Sequence, residues 1–288
     1  MTHSRSGIVI VLLICLLAAM FCAPILGELA ESLLSDGELG SARTFIGVQN
    51  YVDLATDLSL GQAIIASMVF TLGAVSIQLA LALGGALFAQ ERSWLVRTLL
   101  VLPYALPSVV LALIWRFLAD PAVGAIPRLI ALTGLGPIDS LGPAASLCGA
   151  VLISAYEAFP FCYVLFLVRL LQIPNDNREV AEICGAQGTT IWRSLYWPAI
   201  RRMTLFLGLL RTIVTVSKFD VPWLVFANRA RYPWTDTLGV KIYRTAFEEL
   251  KFGRASAIGI AALVVAFGIW LLSRRIRRVE RSWHDAQG

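Results

Sequence analysis

Hydrophobic and polar residues alternate along this chain in long blocks. Six apolar runs, at 8–26, 62–89, 98–118, 144–171, 203–226 and 255–272, are separated by shorter polar or charged stretches. A helix rises about 1.5 Å per residue, so a run of about 20 apolar residues spans a bilayer core of about 30 Å. The pattern therefore predicts an all-α polytopic membrane protein with six transmembrane helices in a single domain over 1–288. The first run follows Arg5, is long for a secretory h-region and has no clean small-x-small cleavage site, so it reads as a retained span. Pro103 and Pro107 lie near the start of the third run and predict a distorted helix with freed carbonyls.

One polar stretch carries a dense internal pattern. In 174–198 (PNDNREVAEICGAQGTTIWRSLYWP), Asp176 with Glu179 three residues later reads as a capping pair at a helix N-terminus. Val180, Ala181, Ile183 and Cys184 give that helix an apolar face. Gly185 and Gly188 interrupt it, and Thr189 or Thr190 is placed to cap a second short helix bearing Ile191, Trp192, Leu195 and Tyr196. Pro198 ends that helix or opens the next. Two short amphipathic helices hinged at glycine between membrane spans form a docking device.

Charge sets the sidedness. With 58% hydrophobic and only 15% charged residues, the chain lies far from a soluble domain, where charged residues approach a quarter. The segment 27–61 is acidic with Arg43 as its one arginine, which suits the outer face. The tail carries Arg274, Arg275, Arg277, Arg278 and Arg281, which suit the inner face and anionic lipid headgroups. Both termini and the 174–198 loop are then cytoplasmic. Counting loops and tails, twelve Lys and Arg lie inside and eight outside. The blemish is 227–254, an outer loop with six basic residues: Arg229, Arg231, Lys241, Arg244, Lys251 and Arg254.

Candidate catalytic chemistry is absent from the pattern. The two histidines, His3 and His284, sit at the ends, and the five cysteines lack ligand spacing, so no metal site or cofactor is expected. No Walker A sequence, paired carboxylates or nucleophile–base motif occurs. Nothing suggests a nucleic-acid surface. Intramembrane charges are the remaining chemistry, because they are costly and face a bundle interior or wet cavity. Glu157 in the fourth run and Arg211 in the fifth fall at a similar depth, which leads us to expect that they pair or bracket a gate. Lys218, Phe219 and Asp220 sit further out on the fifth run and offer polar groups with an aromatic face for a hydroxylated solute. The alternative is that Lys218 and Asp220 satisfy each other or nearby backbone.

Several of these residues resemble one family. Glu179-Val180-Ala181, then three residues, Gly185, nine residues and Leu195-Tyr196-Trp197-Pro198 match the spacing of the EAA loop of ABC importer permeases, E-A-A, G and I-x-L-P. Phe45, Gly47, Asn50 and Tyr51 resemble the segment before the second span. Leu102-Pro103-Tyr104 with Pro107, Trp115-Arg116-Phe117 and Asp120-Pro121 resemble the maltose and glycerol-3-phosphate type. Leu238, Ile242-Tyr243, Ala246-Phe247 and Gly253 match the pattern before the last span, and Phe219-Asp220 resembles an F-D pair in a helix lining the path. The L-T-x-G-G-P turn after the fifth span is missing, and 226–233 stands in its place.

The resemblance implies a non-catalytic permease subunit for a sugar or polyol in a bacterial inner membrane. It implies a second permease subunit, a pair of ATP-binding subunits and an extracytoplasmic solute-binding protein as partners. Under it Glu179, Val180, Ala181, Gly185, Ile191, Leu195 and Pro198 would dock the ATPase. A secondary transporter would need midplane ion-coupling groups and repeat symmetry, which are not obvious. A membrane scaffold would not explain the charged fifth run.

Overall fold

A computed structural model describes residues 2–36, 43–133, 142–226 and 236–285. Its helices are α1 (Thr2–Glu31), α2 (Gln49–Ala55), α3 (Leu58–Ala89), α4 (Trp94–Leu99), α5 (Ser108–Leu118), α6 (Ala125–Leu132), α7 (Pro143–Leu171), α8 (Asn175–Ile183), α9 (Gly188–Ile191), α10 (Trp197–Val216), α11 (Asp220–Phe226), α12 (Leu238–Tyr243) and α13 (Phe252–Asp285). Among the described residues the only β pairing is an isolated bridge between Leu34 and Phe45.

Among the described residues, three helical stretches are long and apolar enough to cross a membrane: Leu13–Glu31, Leu58–Ala89 and Ala144–Leu171. The bent pair Trp94–Ala105 and Ser108–Leu118 makes a fourth if counted as one crossing. The remaining two expected spans are helical but fall short on composition or length. α10 carries Arg201, Arg202 and Arg211, and the apolar described part of α13 is Phe252–Gly268.

Two expected spans are broken helices. The 98–118 run passes through a 3₁₀ turn at Leu102–Ala105, and the two halves meet at 86°. Pro107 stands in extended geometry ahead of α5, as the missing N–H and the ring of proline require of an interrupted helix. The 203–226 run begins earlier, at Trp197, and breaks after Val216 before resuming at Asp220. Pro222 explains the break, because its ring would clash with the carbonyl of residue 218 in a continuous helix.

The chain forms two compact units, Met1–Gly61 with Lys241–Gly288, and Gln62–Val240. In the first, α1 packs against α13 and α13 against α2. The Asn50 amide donates to the carbonyls of Ser32 and Leu34, each at 2.9 Å, tying α2 to the end of α1. The Arg254 backbone N–H in the first turn of α13 donates to Asp36 at 3.0 Å, a cap supplied from far along the chain. Gly253 touches the Leu34 carbonyl so closely that no side chain fits there.

In the second unit, α3 and α7 run side by side in the same direction. Gly73 faces Val151, Gln78 reaches Ala158 and Cys162, and Gly85 faces Tyr163. Small residues on α3 (Ala82, Ala86, Ala89) receive Tyr163, Phe166 and Leu170 of α7 with Ile200 and Leu207 of α10. That is how helices associate in lipid, where close backbone approach replaces the hydrophobic drive. A second cluster joins Phe70 and Ala74 of α3, Ala112 of α5, Ala150 and Ile153 of α7, and Val221 and Val225 of α11. Gly149 lies flat against the Trp115 indole, which occupies the space a side chain there would need.

Candidate functional site

The 174–198 stretch folds as two helical pieces joined at Gly185. α8 begins at Asn175, so Asp176 lies in its first turn, where a negative charge suits the helix dipole; it is not the residue that precedes the helix. At the other end Gly185 has φ +79°, and the Ala186 N–H donates to the Ala181 carbonyl at 2.9 Å. Both are signatures of a Schellman cap, in which glycine takes the left-handed position after the last helical turn. α9 then starts after Gln187, so Thr189 and Thr190 fall inside that helix and do not cap it. It runs without interruption through a π turn at Trp192–Tyr196 into α10. Pro198 opens α10. Lacking an N–H, it cannot close the usual bond to Ser194, and the wider turn fits its ring.

The residues expected to dock a partner divide into two groups. Glu179 and Gly185 are exposed, Val180 is 58% exposed and Ile183 84%. Ala181 and Leu195 are half-buried, Pro198 is exposed, and Ile191 is only 8% exposed. Ile191 therefore packs within the chain, and the free apolar strip belongs to α8.

The second constellation gathers where α3, α5, α7, α10 and α11 meet. Lys218 lies in the break between α10 and α11 and forms an ion pair with Glu157 of α7. Both side chains are largely buried, at 13% and 25% exposure. Asp220, the first residue of α11, accepts a hydrogen bond from the Ser108 hydroxyl at the start of α5. Phe219 stacks on Trp223 with centroids 5.8 Å apart and planes 23° from parallel. Two broken helices thus meet at their breaks, Pro107–Ser108 against Lys218–Asp220. Irregular backbone at membrane depth is tolerated where it is buried in protein or lines a cavity.

Arg211 does not pair with Glu157, contrary to the expectation from depth. Its Nε donates to Gln78 Oε1 at 3.2 Å. Gln78 is 1% exposed and donates to the Ala158 carbonyl at 3.2 Å and to Cys162 Sγ at 3.0 Å. Reading the sequence for opposite charges missed Gln78 and Ser108. A primary amide set in the middle of the 62–89 apolar run is the signal that marks Gln78, since a buried amide must find partners.

Residues 76–281 match the family model described as binding-protein-dependent transport system inner membrane component. Over 239 residues the chain is 28% identical to the inner membrane ABC transporter permease protein YcjO of Escherichia coli, covering 81% of this chain and 80% of that one. It is 24% identical to the trehalose/maltose transport system permease protein MalF of Thermococcus litoralis, covering 90% and 88%. It is 26% identical to the sn-glycerol-3-phosphate transport system permease protein UgpA of Agrobacterium fabrum, covering 94% and 93%. Among solved structures, a bacterial ABC transporter that imports the acidic polysaccharide alginate superposes with a TM-score of 0.77 over 96% of this chain and 97% of its own. At 19% identity, that likeness speaks for the fold alone.

Proposed function

This chain belongs to the family of binding-protein-dependent transport system inner membrane components, and from that premise we propose that it is a permease subunit of an ATP-driven importer for a sugar or polyol. The solute class is supported by the similarity to the trehalose/maltose and sn-glycerol-3-phosphate transport system permeases. The protein carries out no hydrolysis itself. ATP is consumed on a separate pair of subunits, and a second permease and an extracytoplasmic solute-binding protein complete the assembly.

The observation that carries this reading is the α8–Gly185–α9 device. An amphipathic helix with a free Val180–Ile183 strip ends on a left-handed glycine and joins, through a π turn, the helix that bears Arg211 and leads to Lys218. A push on α8 is thereby transmitted along α10 to the break at Lys218–Asp220. An apolar helix face of this kind suits a groove on the ATP-binding subunit, with Glu179 beside it to meet a basic group. Glu157, Arg211, Lys218, Phe219 and Asp220 are the groups through which the movement reaches the solute path.

Six spans with both termini in the cytoplasm fit the helix directions. α3 and α7 run one way. α10 runs the other, since Arg169 near the end of α7 reaches the Ala199 carbonyl while Glu157 reaches Lys218. The test is reconstitution with the ATP-binding subunits. Charged substitutions on the α8 strip, Val180→Asp and Ile183→Asp, should release the ATPase and abolish ATP-driven uptake. Full ATPase retention by the double variant would overturn the docking assignment.

A further inference from the structure

Arg211 has a chemistry that pairing within the chain does not use up. Among the described residues only its Nε is engaged, on Gln78. Neither terminal nitrogen has a hydrogen-bond partner among the described residues, and no described carboxylate lies within ion-pair distance. The other intramembrane charges of this constellation are satisfied inside the chain, Glu157 by Lys218 and Asp220 by Ser108. An unpaired cation in a membrane span is costly and marks a functional site.

The guanidinium is also held in a set orientation. Gln78 is buried and is itself fixed by two groups of α7, so Nε is pinned while the terminal fork is left free. A loose counter-ion needs no such support. A fork that must meet a planar or tetrahedral anion with two parallel hydrogen bonds does.

We propose that Arg211, oriented by Gln78, binds the carboxylate or phosphate group of an anionic sugar in transit. The proposal rests on the permease reading above and narrows its solute class. Depth argues against a lipid phosphate. Gln78 lies about 16 Å from the Ala89 end of α3 at about 1.5 Å per residue, near the middle of a core about 30 Å thick. Headgroups lie beyond that reach on either side. A fixed positive charge at this depth, beside the Lys218–Glu157 pair, favours an anion over a neutral sugar.

The experiment uses the assembled importer in uncharged detergent, labelled with an arginine-specific dicarbonyl and read at Arg211 by peptide mass spectrometry. At matched ionic strength, glucuronate and glucose 6-phosphate should each slow Arg211 labelling by about threefold or more, as expected near twice the dissociation constant, while glucose should not. Gln78→Leu should abolish that difference with Arg211 still labelled. Equal protection by glucose would overturn the proposal in favour of a neutral-sugar pocket. Protection by phosphatidylglycerol but by neither anionic sugar would overturn it in favour of lipid. An Arg211 that labels in the isolated chain but never in the assembly would show a partner carboxylate in its place and overturn it too. Retention of the ATP-binding subunits, measured on the same preparation, tests the permease reading independently. Its loss would sink that reading whatever the labelling shows.

Discussion

Substitutions at Gly185 separate the two reasons a glycine is needed at the end of α8. The residue stands at φ +79°, and a Cβ built there meets nothing within 4 Å. Space inside the chain is therefore not the constraint; backbone geometry is. Left-handed backbone costs an L-residue with a Cβ about 1–2 kcal/mol, and asparagine pays least because its short amide bonds locally. Gly185→Ala should thus shift the α8 end away from its Schellman geometry by about 1 kcal/mol, a factor of about 5 in population. Gly185→Asn should lie close to wild type. The assay is retention of the ATP-binding subunits on an affinity-tagged permease, followed by ATP-driven uptake in proteoliposomes. Alanine should lower retention by about fivefold, and asparagine by less than about twofold. If asparagine fails as badly as alanine, the requirement is clearance against the partner and not the turn. If alanine matches glycine, the left-handed cap is not what sets the docking angle, and the reasoning fails.

Three further outcomes follow from the packing and the charges. Gly149→Val should force the Trp115 indole from its place, costing about 1–3 kcal/mol as overpacking does, and lower the melting temperature of the detergent-solubilised protein; an unchanged melt would refute the contact. Reversing the charge of Glu157 or of Lys218 alone should impair uptake, whereas the double swap Glu157→Lys with Lys218→Glu should restore much of it; swapping Arg211 with Glu157 should restore nothing. At Asp57 burial alone would raise the carboxyl pKa, but hydrogen bonds from Ser59, the nearby Lys241 and Arg254 outweigh it and hold the pKa below its ordinary value. A depressed carboxylate contributes stability that is full above about pH 4 and is lost as pH falls through the lower folded value. Asp57→Asn should therefore flatten the acid limb of a melting-temperature profile below about pH 4, and an unaltered limb would count against the pair.

The long apolar runs translate directly into α3 and α7, because a run of that length has no other way to satisfy its backbone in lipid. The spacing around Glu179 and Gly185 likewise anticipates the two-piece loop. What the sequence did not show was register. Arg211 and Lys218 are seven residues apart, two turns of an unbroken helix, and on the sequence alone would share one face. Which of them meets Glu157 depends on a shift of about 10 Å along the helix, which uncertain span ends cannot resolve. The break at 217–219 carries Lys218 to Glu157 and leaves Arg211 level with Gln78. Neutral partners were hidden for another reason. A search for opposite charges passes over an amide, although a buried amide also needs hydrogen-bond partners.

Several basic residues of 227–254, which weigh against placing that loop outside, have partners within the fold. Lys241 donates to Ser59 at 2.9 Å beside Asp57, and Arg254 reaches Asp57 at 2.7 Å and, through its backbone N–H, Asp36 at 3.0 Å. Lys251 lies 3.6 Å from Glu249, and Arg244 is buried. Arg229 and Arg231 fall outside the described residues. Four of the six charges are thus held in the fold and exert less pull toward the cytoplasm than bare loop charges would. The partners matter more than the count. Asp36 and Asp57 come from the acidic segment 27–61, so these two segments meet and must lie on the same side of the membrane.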